Sequence, residues 1–347
     1  MKAFIMAAGK GTRLRPLTHD VPKPMLPIVN KPPLEHTLEL LSKHGIKEVV
    51  INLHHHGSMV KRYFGHGSKW GVSITYSEEK ELMGTAGGVK KSEAFFDDTF
   101  LVMSGDGLTD INLQEAINFH KKKKALATMI LKQVDARFEY GVVMVDKSRR
   151  IRKFLEKPTW SSIAANAVNT GIYIFEPRIF KYIPKNKFYD FGHDVWPSLL
   201  KKKEKIFAYE MSGYWCDIGN LQEYRKAQYD VLGNHVKIKM PGKRITKNVW
   251  VGLGTKIEHG VRLKGPCVIG NNCTIKKGVT IDEFTVIGNN ALIKQGAVIK
   301  NCIVWNDVCI NKHVHLNNCI IGNKANIKSN ISVFEGSVIN IETIEEK

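Results

Sequence analysis

The sequence predicts an α/β domain built around a mostly parallel sheet, followed by a parallel β-helix. Two observations lead to this prediction. Apolar runs alternate with helical patterns up to about residue 233, and from Ile245 onward aliphatic residues recur at every sixth position. Alternating strand and helix units are typical of a parallel sheet covered on both faces. A six-residue repeat is typical of the coils of a β-helix.

The first half begins with a short apolar strand, Phe4–Met6, and continues with further elements in the order that an α/β fold requires. The other predicted strands are Glu48–Leu53, Phe100–Asp106, Ala127–Lys132 and Asn169–Phe175. The predicted helices are Pro33–Gly45 and Leu221–Gly233, each ended by a glycine. This pattern predicts a Rossmann-like mixed, mostly parallel sheet. Its ligands would lie beyond the carboxyl ends of the strands.

The second half is a hexapeptide repeat. Aliphatic residues occupy positions 245, 251, 257, 263, 269, 275, 281, 287, 293 and 299, and after two single-residue deletions positions 304, 310, 316, 321, 327, 333 and 339. Three hexads would form one triangular coil, with each aliphatic side chain pointing inward. Cys267 and Cys273 fall at the small inward position of the repeat, so we expect them to fill the core rather than bind a metal.

Length and composition agree with two domains, because the chain has 347 residues of which 43% are hydrophobic. The boundaries that we predict are residues 1–233 for the first domain, 234–244 for a linker and 245–347 for the β-helix domain. The regular coils present long flat faces, which predicts a homo-oligomer assembled through the β-helix.

Charge and residue usage exclude several classes of protein. The formal net charge is +19, but the lysine runs Lys121–Lys124 and Lys201–Lys203 lack interleaved aromatic residues, and no nucleic-acid-binding motif is present. We therefore expect anionic substrates and no nucleic acid. No run approaches the roughly 20 apolar residues of a membrane span, and the first residues do not resemble a signal peptide. Six cysteines without a C-x-x-C pair indicate reduced thiols in a cytoplasmic protein.

The stretch "FIMAAGKGTRLRPLTHDVPKPM", residues 4–25, places two glycines and several cations directly after the first strand. Glycine allows close backbone approach, and successive N–H groups in such a turn form an anion site. The stretch lacks the Lys-Ser/Thr of a Walker A loop, and Leu14 stands where the dinucleotide fingerprint needs its third glycine. A phosphate chain bound in another way is the function that this pattern favours, whereas an ordinary turn with surface cations is the alternative.

Two further groups of polar residues follow predicted strands. Asp106 ends an apolar strand, and a carboxylate there is either a helix cap or a metal ligand. The run His54–His56 invites a metal interpretation, but three consecutive histidines cannot all face one ion without an unusual turn. We therefore expect them at a junction between a strand and a helix.

The motifs resemble the sugar-phosphate nucleotidylyltransferases, or NDP-sugar pyrophosphorylases, over essentially the whole chain. The motifs that carry the resemblance are "GKGTRLRPLT…PKPMLPI", "LMGTAGG", "SGDGLTD", "EKP", "NTGIYIF" and "YWCDIG", in that order. The tail is similar to the left-handed β-helix of several branches, including the mannose-1-phosphate guanylyltransferases. The resemblance implies that an NTP and a sugar 1-phosphate react to give an NDP-sugar and pyrophosphate.

The resemblance also implies roles for individual residues. The residues implied in binding the nucleotide are Ala8, Gly9, Gly11, Thr12, Arg13, Glu79, Gly84 and Thr85. Those implied in catalysis are Arg13 and Lys23, which neutralise the phosphates, and Asp106. Asp106 and Asp217 are implied as ligands of Mg²⁺, which prefers few carboxylates and keeps several waters. The residues implied in binding the sugar phosphate are Gly141, Glu156, Lys157, Asn169 and Asp190.

The choice of nucleotide depends on Glu78 and Glu79. Guanine offers two donors on its Watson–Crick edge, which one carboxylate can accept together, so these residues favour GTP and with it mannose 1-phosphate. Solvent-facing glutamates at a strand end are the alternative. Gly192 stands where guanylyltransferases commonly place an acidic residue, so a glucose-1-phosphate uridylyl-, thymidylyl- or adenylyltransferase stays open.

A different class of function is a regulatory subunit that senses the nucleotide sugar. Such relatives usually lose an active-site residue, whereas Arg13, Lys23 and both aspartates are present in this chain. The sequence therefore favours an active enzyme.

Overall fold

The computed structural model describes residues 1–134, 141–156, 167–336 and 338–339. Within these ranges the chain forms two compact units. The first comprises the described residues of Met1–Lys10, Val21–Pro24 and Leu34–Asp217, and the second comprises those of Gly11–Asp20, Met25–Pro33 and Ile218–Lys347. The domain boundaries predicted from the sequence stay a prediction.

The first unit is an α/β fold. Its strands are β1 Lys2–Met6, β2 Glu48–Leu53, β3 Ser73–Glu78, β4 Phe100–Ser104, β5 Gly107–Thr109, β6 Ala127–Gln133, β7 Val142–Val145, β8 Ile151–Leu155, β9 Ala167–Phe175, β10 Ile206–Glu210 and β11 Trp215–Asp217. Its helices are α1 Pro33–Lys43, α2 Gly57–Phe64, α3 Gly84–Lys91, α4 Leu113–Lys123 and α5 Trp196–Lys201.

The main sheet has the strand order β10-β6-β9-β4-β1-β2-β3, with β7 paired to β9 and β8 paired to β7. The pairs β1–β2, β1–β4, β2–β3 and β6–β10 are parallel, whereas β9 runs antiparallel to both of its neighbours. The sheet is therefore mixed and Rossmann-like, as predicted. The carboxyl ends of β1, β2 and β4 lie at one edge, because these strands are parallel and in register.

Aromatic side chains form much of the core of this unit. The rings of Phe100 and Phe180 stack with centroids 5.3 Å apart, and those of Phe175 and Phe191 also lie 5.3 Å apart. Trp196 is fully buried beside them. Burying one such side chain stabilises a fold by about 1.5–3 kcal/mol, so this cluster holds the strands that carry the polar edge.

The second unit contains a helix and a β-helix. Helix α6 spans Leu221–Leu232, where the sequence predicted Leu221–Gly233, and Gly233 is its C-cap. Asn220 caps its start by accepting a hydrogen bond from the backbone N–H of Glu223. The strands of the β-helix form three sheets. Sheet A contains β12 Lys243–Thr246, β13 Val249–Val251, β16 Cys267–Ile269, β19 Thr285–Ile287, β22 Ile303–Val304, β25 Ile320–Ile321 and β28 Val338–Ile339. Sheet B contains β14 Lys256–Ile257, β17 Thr274–Ile275, β20 Leu292–Ile293, β23 Cys309–Ile310 and β26 Asn326–Ile327. Sheet C contains β15 Arg262–Leu263, β18 Thr280–Ile281, β21 Val298–Lys300, β24 His315–Asn317 and β27 Ser332–Phe334.

The hexapeptide register explains this architecture. Successive strands of one sheet pair in parallel, with Ile275 opposite Ile257 and then Ile293 opposite Ile275. The aliphatic residues from Ile269 to Ile327 point into one buried column, as predicted. Ile245 is an exception, because it is 47% exposed in β12, which runs antiparallel to β13 at the end of its sheet. No coil precedes β12 in the described part of the β-helix, so no further coil covers the Ile245 side chain.

Asparagine side chains tie the coils together along one corner. The backbone N–H of Asn271 donates to Oδ1 of Asn289 at 2.8 Å, and that of Asn289 donates to Oδ1 of Asn306 at 2.7 Å. The backbone N–H of Asn306 donates in turn to Oδ1 of Asn323 at 3.0 Å. This ladder gives each of these backbone N–H groups an acceptor in the next coil.

The cysteines behave as the repeat predicts. Cys267 and Cys273 are at most 1% exposed and belong to the inner column, which confirms that they fill the core. The structure holds all six cysteines as free thiols.

Candidate active site

A loop with two glycines leaves the carboxyl end of β1. Ala8 is buried and Gly9 is exposed. Gly11 adopts a left-handed φ of 63° and precedes a short 3-10 helix at Thr12–Leu14, whose first two residues are exposed. A residue with a Cβ would be disfavoured at such a φ, which explains the glycine at this position. The contacts of the loop with a triphosphate stay a prediction.

Asp106 follows β4 through a tight glycine turn. The backbone N–H of Gly105 donates to Met6 O at 2.9 Å. A Cβ at Gly105 would lie 2.9 Å from Cγ2 of Ile5, so only glycine lets the chain pass so close to β1. The predicted strand Phe100–Asp106 therefore ends earlier, at Ser104, and Asp106 begins the step to β5. Asp106 caps none of the described helices.

Lys23 brings together the two aspartates predicted as metal ligands. Strands β5 and β11 pair antiparallel with Gly107 opposite Asp217, which places Asp217 beside the turn that carries Asp106. Nζ of Lys23 forms an ion pair with Oδ2 of Asp106, and it lies 3.5 Å from Oδ1 of Asp217. Three residues far apart in sequence thus meet beyond the ends of β4 and β11.

The electrostatics of this cluster favour the ionised form of Asp106. Burial alone would raise the pKa of Asp106, but the charge of Lys23 and hydrogen bonds from Lys23 and Ser104 hold the pKa of this carboxyl below its usual range. The Lys23 side chain is only 11% exposed, so its ammonium is a strong local counter-charge.

The donor set fits a hard divalent cation. Asp106 and Asp217 supply carboxylate oxygens that already converge on one cation, the ammonium of Lys23. Mg²⁺ is commonly bound by one or two carboxylates together with substrate phosphates and waters. Groups of three or more acidic, histidine or cysteine side chains that could hold a metal by themselves are absent from the described residues. An ion at this position would therefore depend on the substrates for its remaining ligands.

Asn52 connects the glycine loop to the segment that follows β3, and sequence reasoning missed it. Its Oδ1 accepts from the backbone N–H of Ala7 at 2.7 Å, and its Nδ2 donates to Oε1 of Glu79 at 2.7 Å. Asn52 is 3% exposed. The signal in the sequence was an amide inside the otherwise apolar strand β2, because a buried amide needs partners for both of its polar atoms.

Glu79 and Glu78 have different surroundings. Both carboxylate oxygens of Glu79 have donors within the protein, since Oε1 accepts from Asn52 and Oε2 accepts from the backbone N–H of Met83 at 3.0 Å. Glu79 is 5% exposed. Glu78 is exposed and forms an ion pair with Lys61. The carboxylate that was expected to read guanine thus holds its own segment in place.

The glycines of the same segment pack closely against the chain. A Cβ at Gly88 would lie 2.5 Å from Oε1 of Glu79, and one at Gly84 would lie 2.5 Å from Tyr189 O. Thr85 donates to Oδ2 of Asp190 at 2.8 Å. The sequence predicted that these residues approach a ligand, whereas the structure shows that internal packing already requires the two glycines.

The residues predicted to bind the sugar phosphate lie close together where they are described. The backbone N–H of Asn169 donates to Gly141 O at 2.8 Å. A Cβ at Gly141 would lie 3.0 Å from Oε2 of Glu156, so this carboxylate covers Gly141. Oδ1 of Asp190 accepts from the backbone N–H of Gly192 at 2.9 Å. Lys157 lies outside the described residues.

The position of Glu156 explains why residue 192 is a glycine and not the acidic residue common in guanylyltransferases. A Cβ at this position would lie 2.5 Å from Oε2 of Glu156. An acidic side chain at residue 192 would therefore collide with Glu156 and also repel its charge. In this chain, Glu156 occupies the space that a larger residue at position 192 would need.

The histidine run lies at a junction, as predicted. His54–His56 connects β2 to α2, and His56 has a left-handed φ of 51°. Nδ1 of His54 lies 2.9 Å from Glu79 O. Because a carbonyl oxygen only accepts, Nδ1 carries the proton in this hydrogen bond. His54 therefore supports the same segment as Asn52.

Comparisons with known protein families agree with the motifs. The sequence profile of the family described as Nucleotidyl transferase matches residues 2–234, and the profile described as GMPPB C-terminal domain matches residues 263–345.

Relatives with assigned activities differ in their substrates. A UTP–glucose-1-phosphate uridylyltransferase of Synechocystis sp. is 40% identical over 307 residues, which cover 79% of each chain. A mannose-1-phosphate guanylyltransferase of Mycobacterium tuberculosis is 31% identical over 285 residues, covering 77% of this chain and 79% of the relative. The relatives therefore agree on the reaction type more than on the nucleotide and the sugar.

Solved structures share the fold over about two thirds of the chain. A provisionally assigned glucose-1-phosphate thymidylyltransferase of Bacillus anthracis, solved with a sucrose, superposes with a TM-score of 0.62 at 26% identity, covering 69% of this chain and 96% of that chain. HddC of Yersinia pseudotuberculosis, solved with GMP-PN, superposes with a TM-score of 0.58 at 25% identity, covering 66% and 99%. Among the helices that the structure describes, none has the length and apolar character needed to cross a bilayer.

Proposed function

Because the chain belongs to the Nucleotidyl transferase family, we propose that it transfers a nucleotidyl group from an NTP to a sugar 1-phosphate and releases pyrophosphate. The observation that carries this proposal is the convergence of Lys23, Asp106 and Asp217 beyond the strand ends. A lysine ammonium and a metal ion held by carboxylates are groups that stabilise the charge of a transferring phosphoryl group.

In the proposed reaction an oxygen of the sugar phosphate attacks the α-phosphorus in line. A new P–O bond forms as the bond to the β-phosphate breaks, and pyrophosphate leaves with the electron pair. Little covalent chemistry is left to the protein, so its work is positioning and charge neutralisation. Lys23 would contact the reacting phosphates, and Arg13 would hold the leaving pyrophosphate.

Asp106 and Asp217 would hold Mg²⁺. When bound, this ion neutralises phosphate charge and orients the two reacting groups. With phosphates present, the ammonium of Lys23 would exchange part of its contact with the carboxylates for contact with the α-phosphate. That exchange would leave the carboxylate oxygens to the metal.

The sugar phosphate would bind at the cluster formed by Gly141, Glu156, Asn169 and Asp190, together with Lys157. The carboxylate of Glu156 and the carbonyl of Gly141 are acceptors for sugar hydroxyl groups. The close fit of Gly192 against Glu156 supports this role, because it keeps the carboxylate in one place.

For the nucleotide and the sugar, we propose GTP with mannose 1-phosphate as the first pair. The profile match to the GMPPB C-terminal domain and the guanylyltransferase relatives support this pair. Glu79 gives little support to a contact with guanine, because its two carboxylate oxygens already accept hydrogen bonds from Asn52 and Met83. The second candidate is UTP with glucose 1-phosphate, favoured by the uridylyltransferase relative that is 40% identical.

A pyrophosphate-release assay tests the reaction and the substrates together. Purified full-length protein with MgCl₂ is offered GTP, UTP, dTTP or ATP with mannose or glucose 1-phosphate. Release with GTP and mannose 1-phosphate above all other pairs is the expected result. Higher kcat/KM with UTP and glucose 1-phosphate selects the second candidate. Binding of a nucleotide sugar without turnover of any pair would overturn the enzymatic proposal in favour of a sensor.

We also propose that the β-helix assembles the chain into a homo-oligomer. Large apolar side chains are exposed near both ends of the described β-helix. Leu253, which follows β13, is 83% exposed, and Phe334, at the end of β27, is 60% exposed. Burial of such residues between copies would stabilise an oligomer. Light scattering coupled to size exclusion measures the mass, and a monomer at micromolar concentration would contradict this proposal.

A further inference from the structure

The first unit has a cavity at the edge of its main sheet opposite the carboxyl ends of β1, β2 and β4. Its volume is about 330 Å³, and it is lined by His120, Lys121, Lys124, Ala125, Glu176 and Arg178. All six residues belong to the first unit. Phe175, the last residue of β9, pairs with Phe100 and Ala127, the first residues of β4 and β6. Glu176 therefore leaves the sheet where those two strands begin.

This cavity is separate from the proposed site of phosphate transfer. Thr99 precedes β4 on the side of the cavity, whereas Asp106 follows the other end of the same strand. Strand β4 has five residues, and a strand of that length spans roughly 16 Å. A small molecule in the cavity would therefore not contact the carboxylate of Asp106 or the ammonium of Lys23.

A buried histidine forms the floor of the cavity. His120 is 1% exposed, its Nε2 lies 3.1 Å from Oε1 of Glu176, and its Nδ1 lies 2.8 Å from Oγ1 of Thr128. Burial lowers the pKa of His120, although Glu176 opposes this effect, so the ring is neutral near pH 7. A neutral ring donates through one nitrogen and accepts through the other. Because a carboxylate only accepts, Nε2 donates to Glu176 and Nδ1 accepts from the Thr128 hydroxyl.

These contacts hold the Glu176 carboxylate by one of its oxygens. Oε1 accepts from His120 and also from the Thr99 hydroxyl at 2.7 Å. The backbone N–H of Glu176 donates to Leu126 O at 3.0 Å, which fixes the start of the side chain. Oε2 accepts no hydrogen bond from any residue that the structure describes, and the side chain is 33% exposed. Glu176 thus presents one fixed acceptor to the cavity.

Three exposed cations surround this acceptor. Lys121 and Lys124 lie at the end of α4, and Arg178 lies in the 3-10 segment Pro177–Tyr182 that follows β9. Although all three line the cavity, their side chains form no hydrogen bond or ion pair with the described residues. Their positive charges therefore have no partner within the described parts of the chain, and they outnumber the single carboxylate.

The turn that carries Lys124 has a strained backbone. Lys124 ends α4 with a left-handed φ of 47°, and its backbone N–H donates to the carbonyls of His120 and Lys121. Glycine or asparagine is the common residue at such a position. Strain of this kind is often found at binding sites. Here it returns the chain to β6 and leaves the lysine side chain at the cavity.

We propose that this cavity binds a small phosphate monoester that also carries hydroxyl groups, as a monosaccharide phosphate does. Lys121, Lys124 and Arg178 would donate to the phosphate oxygens, because ammonium and guanidinium groups are the usual phosphate donors. Glu176 would repel an anionic group but accept from a hydroxyl. The volume lies at the small end of the range for ligand sites, which favours a molecule of monosaccharide size over a nucleotide. This site does not depend on the proposed reaction.

Isothermal titration calorimetry of the full chain with D-glucitol 6-phosphate tests the proposal. This probe carries a phosphate monoester and hydroxyl groups, but it has no anomeric phosphate and is therefore not a substrate of the proposed reaction. The variants are Arg178→Gln and Lys124→Asn, since asparagine still permits a left-handed φ. The matched control is Lys122→Gln, because Lys122 is exposed in the same last turn of α4 but does not line the cavity.

Each of the two cavity variants should raise Kd about tenfold, as expected for the loss of one charge-assisted hydrogen bond. Lys122→Gln should change Kd less than about twofold, because salt screens an exposed charge outside the site. Melting temperatures should stay unchanged, since none of these side chains has a bonded partner. Absence of binding to the wild type at millimolar concentration would overturn the proposal. A Kd that the cavity variants leave unchanged, or that the control raises equally, would also overturn it.

The variant Glu176→Gln tests the contact with a hydroxyl group. Its amide oxygen can replace Oε1, which places an N–H₂ donor where Oε2 stands. Kd for D-glucitol 6-phosphate should rise about tenfold, because the acceptor for the hydroxyl is lost. Kd for methyl phosphate, which has no hydroxyl group, should fall about threefold, because a nearby negative charge is removed. Changes in the same direction for both ligands would overturn the proposed class of ligand.

A lipid headgroup is a second source of the same chemistry. Co-sedimentation with vesicles of phosphatidylcholine and phosphatidylinositol 4-phosphate tests this source, because that headgroup carries a phosphate monoester beside hydroxyl groups. Vesicle binding that Arg178→Gln abolishes would assign the ligand to a lipid, whereas binding of the soluble probe alone would assign it to a free phosphate. Neither experiment needs turnover, so a failure of the proposed reaction would leave both results valid.

Discussion

Neutralising one aspartate tests the arrangement around Lys23. The variants are Asp106→Asn, Asp217→Asn and the double variant. Asn keeps the shape and one oxygen of Asp but loses the charge. In the structure the two carboxylates share one ammonium, so either single change leaves Lys23 with a remaining partner.

The expected effect on the reaction is large and the effect on folding is small. Losing a main electrostatic stabiliser costs roughly 3–5 kcal/mol in the transition state, which lowers kcat/KM by roughly 10²–10⁴. The carboxylates are 21% and 29% exposed, and Lys23 keeps one of them in each single variant, so the unfolding free energies of the single variants should change by less than about 1 kcal/mol. The double variant should fall only about tenfold below the worse single, because the second change acts on a site already disabled.

The assay measures pyrophosphate release as a function of MgCl₂ concentration, with melting temperatures recorded for each protein. Asp110→Asn is the matched control, because Asp110 lies next to the same two-stranded ladder but accepts the backbone N–H of Tyr214 at 2.7 Å. Its activity should stay near that of the wild type. Near-normal turnover of Asp106→Asn with a lowered melting temperature would show that Asp106 has a structural role. This result would refute the proposal that Asp106 and Asp217 together hold Mg²⁺.

Three further outcomes follow from individual contacts. Glu79→Gln places an amide N–H₂ group opposite the donors of Asn52 or Met83, so it should lower the unfolding free energy by about 1–3 kcal/mol. A changed GTP-to-UTP preference at unchanged stability would contradict the supporting role of Glu79 toward Met83. Gly192→Ala forces the Glu156 carboxylate to move, so KM for the sugar phosphate should rise about tenfold while KM for the NTP stays the same; equal changes in both would refute this. Burial, opposed by a nearby carboxylate, lowers the pKa of His120 below 6.5, so the unfolded state takes up its proton first and stability should fall as pH drops below about 6.5. Urea denaturation at pH 7.5 and 5.5 should show a smaller loss for His120→Gln, and an equal loss in both proteins would exclude this source.

Much of the fold could be predicted from local patterns. The six-residue period placed the inner column of the β-helix and the position of Cys267 and Cys273, because each coil repeats one environment. Strand β2 has the predicted bounds, and helix α6 ends one residue before the predicted Gly233, since apolar runs and caps are encoded within a few residues of each element. The carboxyl-end rule predicted that ligands would lie beyond the ends of the strands, and Asp106 lies just after the end of β4.

Other features depended on residues that are distant in the chain. Asn52 joins Ala7 to Glu79, and no pattern near any of the three indicates the other two. Gly192 departs from the expected family pattern. Only the structure explains this departure, because it places the Glu156 carboxylate beside Gly192.

The sequence by itself determined the class of fold, the repeat and the kinds of charge that follow the strands of the first unit. These follow from the chemistry of single residues and from their periodicity. Only the tertiary structure decided which charges meet, as where Asp106 and Asp217 share the ammonium of Lys23. It also decided that Asn52 donates a hydrogen bond to Glu79. It also decided that Trp305 of the β-helix contacts Tyr224 of α6. The physical reason is that a hydrogen bond or an ion pair depends on distances of a few ångströms, and packing sets those distances between residues that the chain itself separates.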